Sequence, residues 1–182
     1  MSSSIGLIEL SSIASGFEVT DAMLKSSSVE PLISRTICSG KFIVMVSGNV
    51  GDVNASLEKG IEIARESYIQ HFIIPNVHTE VLSAIGGVGE FNKKDAIGIL
   101  ESFSVAALIE GADGARKASD ITLIEIRLAM ALGGKAYVLF TGSVADVTAG
   151  VEAGAEIIGK YGMLVNKVVI SGPHEKLYGE II

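Results

Sequence analysis

"GKFIVMVSGNVGDVNA" (Gly40–Ala55) and "GKAYVLFTGSVADVTA" (Gly134–Ala149) are two versions of one segment. Each opens on Gly-Lys, runs through a short apolar stretch and breaks at a glycine. Each then resumes with apolar residues three and four apart. That pattern is strand, turn, helix, and it occurs twice.

The match extends outward. Upstream, "IGLIELSSIASGFEVTDAMLKSSSV" from Ile5 aligns with "IGILESFSVAALIEGADGARKASDI" from Ile97. Identical pairs include Glu9 and Glu101, Glu18 and Glu110, Asp21 and Asp113, Lys25 and Lys117, and Arg35 and Arg127. Downstream, "FIIPNVH" aligns with "VVISGPH" and sets His78 opposite His174. The chain is therefore an internal repeat: a first domain over 1–86 and a second over 97–182. Residues 87–96, which overlap the Gly-rich and charged stretch "GGVGEFNKKD" (Gly86–Asp95), form the linker.

Each copy reads β-α-β-β-α-β with a helical tail. In the first, Ile5–Leu10 is a strand, and Ile13, Phe17, Thr20 and Leu24 mark one face of a helix. Pro31–Ile37 and Lys41–Ser47 are strands flanking the turn "CSG". Val50, Val53, Leu57, Ile61 and Ala64 have helical spacing, repeated by Val144, Val147, Val151, Ala155 and Ile158. His71–Ile74 is the last strand, and a short helix begins near His78. The expected fold class is α/β in the α+β sense: per repeat, a split βαβ unit with one sheet and helices on one face.

Composition narrows the function. Of 182 residues, 48% are hydrophobic and 19% charged, and the mean hydropathy is +0.49. The apolar runs are too short for a membrane span, which needs about 20 residues. "MSSSIGLIEL" has no basic start and carries Glu9, so no secretory signal is read. The expectation is a cytoplasmic protein that buries surface by oligomerising. A net charge of −7 and the absence of tryptophan, without a basic stripe, argue against nucleic acid.

Repetition also separates scaffold from special residues. Glu9, Glu18, Glu101 and Glu110 recur, with no unduplicated partner for acid–base chemistry, and are read as scaffold. "SGNVGDV" and "TGSVADV" are read as helix starts capped by Asn49 and Ser143 rather than anion sites. His78 and His174 are read as caps or packing groups, because no metal-ligand spacing accompanies them. Lys25 and Lys117 suit the negative end of a helix dipole, or a repeated contact between neighbouring molecules. Cys38, the one cysteine, breaks the repeat. It faces Met130 in a second loop that is longer and lacks a thiol. It is either a small buried hydrophobe or an exposed thiol for metal or redox chemistry.

The "IGLIEL" opening, the strand–"SGK"–strand hairpin, the "SGNVGDV" helix start and the terminal Pro/His turn resemble the bacterial microcompartment shell domain. Two copies resemble its tandem-domain members. "TICSGKF" resembles their T-type, found in propanediol-utilisation microcompartments. The resemblance implies a non-enzymatic structural protein, a homotrimer with six domains around a pore. Ser39, Gly40, Leu132 and Gly133 would line that pore. Lys25 and Lys117 would contact other shell proteins in a tiled sheet. Cys38 would be the metal ligand, holding one [4Fe–4S] cluster per trimer on the threefold axis. The role implied is electron transfer or cluster delivery across the shell, with a lumenal redox enzyme as a partner and no nucleic acid or membrane. The family's "Pro-Arg-Pro-His" turn is absent: "IPNVH" and "ISGPH" carry no arginine. The uncharged loop Ala131–Gly134 is expected to offer space rather than ligands. A pore for small metabolites without a cluster, and a small-ligand-binding regulatory module, are the alternatives.

Overall fold

A computed structural model describes residues 4–87 and 95–179. The first repeat comprises β1 (Ser4–Leu10), α1 (Ile13–Ser26), β2 (Glu30–Ile37), β3 (Lys41–Gly48), α2 (Val50–Ala64), β4 (Tyr68–Ile74) and α3 (Thr79–Gly86). The second comprises β5 (Ala96–Ser102), α4 (Val105–Ala118), β6 (Thr122–Arg127), β7 (Ala136–Gly142), α5 (Val144–Lys160), β8 (Leu164–Ile170) and α6 (Glu175–Tyr178). The expected linker, 87–96, lies mostly outside the described residues.

Each repeat builds one antiparallel four-stranded sheet, ordered β2-β3-β1-β4 and β6-β7-β5-β8. The registers coincide. Ile8 pairs with Val44 and Leu100 with Val138, and both repeats bulge at the same place, between Pro31 and Ile33 and between Leu123 and Glu125. Alternation sorts the strand residues. In the first repeat Ile8, Leu10, Phe42, Val44 and Val46 meet Val19 and Met23 of α1 and Val53, Leu57 and Ala64 of α2 in one core. The expected fold class and element order hold for both repeats.

The chain forms two compact units, and they do not follow the repeat boundary strictly. One holds described residues 4–77 with 130–134. The other holds 78–87, 95–129 and 135–179. Thus α3, although encoded by the first repeat, packs against β6 and α4 of the second.

The apolar face read for α1 is not the one that packs inward. Gly16, Val19 and Met23 turn inward, whereas Ile13, Phe17 and Leu24 are exposed. The helix carries two apolar stripes, and periodicity cannot choose between them. Close approach decides it: a Cβ at Gly16 would lie 2.2 Å from the Phe42 ring, so only glycine lets α1 settle on β3. Phe17 touches the same ring from outside, at 5.2 Å between centroids. Gly16→Ala should therefore overpack this contact and cost about 1–3 kcal/mol, read as a lower urea midpoint at unchanged slope.

Candidate functional site

Cys38, Ser39 and Gly40 form the tight turn between β2 and β3. Ser39 has φ 66° and Gly40 φ 69°, a left-handed conformation that costs energy for serine. Such a turn persists only where its surroundings enforce it, and both ends are held here. The β2–β3 ladder runs to the Ile37–Lys41 pair. Lys41 then places Nζ 2.8 Å from Oε1 of Glu9, whose side chain is fully buried. A buried carboxylate demands a counterion, so this pair anchors the residue that follows the turn. Lys135 and Glu101 repeat it at 2.5 Å. The scaffold reading of Glu9 and Glu101 stands.

The loop Met130–Gly134 belongs to the same compact unit as Cys38. Ala131, Gly133 and Gly134 all have positive φ, which curls the backbone into a tight loop. Gly134 is required by its φ of +86°, and it packs against Ser39, whose Oγ would have to turn away from a Cβ there. Cys38 is half-exposed. The backbone at Leu132 holds its thiol below the usual range; slight burial opposes this, and Gly134, Ala131 and Gly133 add to the lowering. The uncharged loop therefore supplies donors as well as space. Sequence reasoning missed this contribution, for which "LGG" was the available signal.

The structure thus brings Cys38, Ser39, Gly40, Leu132 and Gly133 into one unit. Lys25 and Lys117 are elsewhere, at the ends of α1 and α4, paired with Asp21 at 2.7 Å and Asp113 at 2.5 Å. His78 and His174 are caps, their Nδ1 atoms accepting from the N–H of Glu80 and Lys176. Asn49 and Ser143 cap α2 and α5 as expected. His71 pairs with the Tyr68 hydroxyl at 2.7 Å. Among the described residues no group of three or more His, Cys, Asp or Glu could hold a metal ion within one chain.

An open cleft of about 670 Å³ lies between the start of α1 and the end of α2, lined by Ser11, Ser15, Glu18 and Arg65. It shares no lining residue with the Cys38 turn. Chemically, then, one chain offers one half-exposed thiol whose ionisation the neighbouring loop backbone favours. Alkylation of Cys38 by iodoacetamide should show a pH midpoint below that of the same chain in urea, because unfolding removes those donors and returns the thiol to about 8.5.

Comparison with known proteins agrees with this architecture. The BMC domain family matches residues 4–77 and 96–173. The chain is 43% identical over 182 residues to the bacterial microcompartment shell protein PduT of Citrobacter freundii, covering 100% of this chain and 99% of that one. A crystal structure of a microcompartment protein from Desulfitobacterium hafniense superposes with a TM-score of 0.87 at 45% identity, covering 98% and 99% of the two chains. The fused permuted hexameric shell protein MSM0275 shares the fold alone, with a TM-score of 0.69 at 18% identity. Twice-repeated strand order, register and family match agree: this chain belongs to the BMC-domain family of bacterial microcompartment shell proteins, in its tandem form.

Proposed function

We propose that this shell protein is a cluster-bearing tile, three copies of which close into a ring of six domains and converge their Cys38 thiolates on one axis. The observation that carries the reading is the Cys38 turn, a half-exposed thiol beside the 130–134 loop, whose backbone holds it below the usual range. Full-length likeness to a PduT shell protein supports the shell role, inside a compartment of the bacterial cytoplasm.

The donor set fits an iron–sulfur group only in an assembly. Clusters are usually held by four thiolates, and the chain has one cysteine. A threefold axis converts one thiolate into three, leaving the fourth iron to a group from outside the chain. The [4Fe–4S] cluster would supply one-electron transfer between the two sides of the shell.

Each neighbouring residue has a part. The backbone of 131–134 favours the thiolate that an iron ligand must be. Hydrogen bonds to sulfur also tune a cluster's potential. Glu9 and Lys41 hold the turn against rotation. Ser39, Gly40, Leu132 and Gly133 set the width of the opening. Lys25 and Lys117 meet neighbouring tiles, and a redox enzyme of the lumen exchanges electrons with the tile. No step requires the protein to make or break a substrate bond.

Native mass spectrometry of anaerobically reconstituted protein should find a trimer carrying about four irons, with sulfide. Cys38→Ser should keep the trimer and lose the iron together with its broad visible absorption. A wild-type trimer free of iron after reconstitution would overturn the cluster and leave a plain metabolite pore.

A further inference from the structure

The two repeats expose opposite amounts of the same surface. Phe17 on α1 is 65% exposed, whereas its repeat partner Ile109 on α4 is 0% exposed. Ile13 and Leu32 are likewise exposed where Val105 and Ile124 are buried. Along β2 only Ile37 is buried, whereas β6 is buried through its centre. At the second repeat, α3 supplies part of the cover. The His78 N–H donates to Asp113 Oδ1 at 2.8 Å. Glu80 reaches Arg116 Nε at 3.1 Å and accepts the Leu123 N–H at 3.1 Å. Val81 is 0% exposed.

Every one of these positions has a repeat partner, and the partners differ together. His174 and Asp21 preserve the N–H donor and its acceptor. Glu80 becomes Lys176, so the carboxylate is gone. Arg116 becomes Leu24, so the cation it paired is gone. Leu123 becomes Pro31, which has no N–H, so the donor is gone as well. Three substitutions on three separate elements remove both ends of both contacts. Independent drift would leave orphaned partners, and a buried orphan costs about 1–3 kcal/mol. The geometry is otherwise the same. His78 has φ −67° and ψ 134°, and His174 has φ −67° and ψ 139°. Pro31 and Leu123 occupy the same bulged position. Yet Leu177, the partner of buried Val81, is 38% exposed.

We infer that α6 of one copy docks on α1 and β2 of a second copy, as α3 docks on α4 and β6 within the chain, and that the two seams carry incompatible residue sets. The inference rests on the trimer reading above and adds its specificity. The occupant is a second copy because its 174–177 segment supplies the matching groups: His174 N–H for Asp21, Leu177 for the exposed apolar face of Leu24 and Leu32, and no acceptor where Pro31 has no donor. The wrong match is penalised on both sides. Lys176 placed against Arg116 sets like charges together and strands the Leu123 N–H. Glu80 placed against Leu24 and Pro31 buries a carboxylate without a partner. Copies therefore join only with second repeat to first.

A double-mutant cycle tests this on the full chain, with association measured by analytical ultracentrifugation. Leu24→Arg faces Lys176 with a second cation and should weaken trimer association at least tenfold. Lys176→Glu added to it rebuilds the pair that Glu80 and Arg116 make, and should restore association to near the wild-type value. Asp21→Ala should weaken association without lowering the melting temperature of the dissociated chain, which keeps the test open should Leu24→Arg fail to fold. A trimeric wild type in which Lys176→Glu rescues nothing, or in which Asp21→Ala associates normally, overturns the seam but leaves the trimer. A wild type that is monomeric at all concentrations overturns the trimer reading and the seam with it.

Discussion

Glu9 is a carboxylate with no access to water, and Lys41 is the cation beside it. An ionised carboxylate buried without a counterion costs several kcal/mol, so the chain has little freedom in where Lys41 sits. Lys41 in turn is the first residue of β3, immediately after Cys38, Ser39 and Gly40. The position of the only thiol thus follows from an electrostatic requirement in the strand beside it. The second repeat keeps the same pair, Glu101 and Lys135, and uses it to anchor a loop without a thiol. One structural device therefore holds two turns, of which one carries the thiol and the other a glycine-rich backbone that lowers its pKa.

That division of labour suits a duplicated chain. A single-domain ring presents identical turns around its axis. A tandem chain lets one turn keep the cysteine while the other takes glycines at positive φ. Ser39 and Ala131, both non-glycine residues with positive φ, sit in the two segments beside the sulfur. The same logic underlies the seam we propose between copies. Duplication made two copies of one docking surface, and the differences at Leu24, Pro31 and Lys176 now distinguish them.

Several features were readable in the one-dimensional pattern because they depend on local or repeated chemistry. The strand–turn–helix segments of Gly40–Ala55 and Gly134–Ala149 have unambiguous periodicity. Asn49, Ser143, His78 and His174 cap helices through bonds to residues two or three positions away. The inward face of α1 was not readable. Its apolar residues form two stripes, and the deciding contact is a glycine against Phe42 on a distant strand. The packing of α3 against β6 was equally hidden, since it crosses the repeat boundary and leaves no periodic signature.

By itself, then, the sequence determined that the chain is a repeat, what each repeat's strands and helices are, and that Cys38 is where the repeats differ. These follow from side-chain periodicity, turn residues and internal comparison, which need no knowledge of distant contacts. Only the tertiary structure decided that Met130–Gly134 folds beside Cys38, and that backbone N–H groups rather than side chains act on its thiol. The physical reason is that every residue but proline carries the same N–H. Its direction depends on φ and ψ, which side-chain identity constrains only weakly outside glycine and proline.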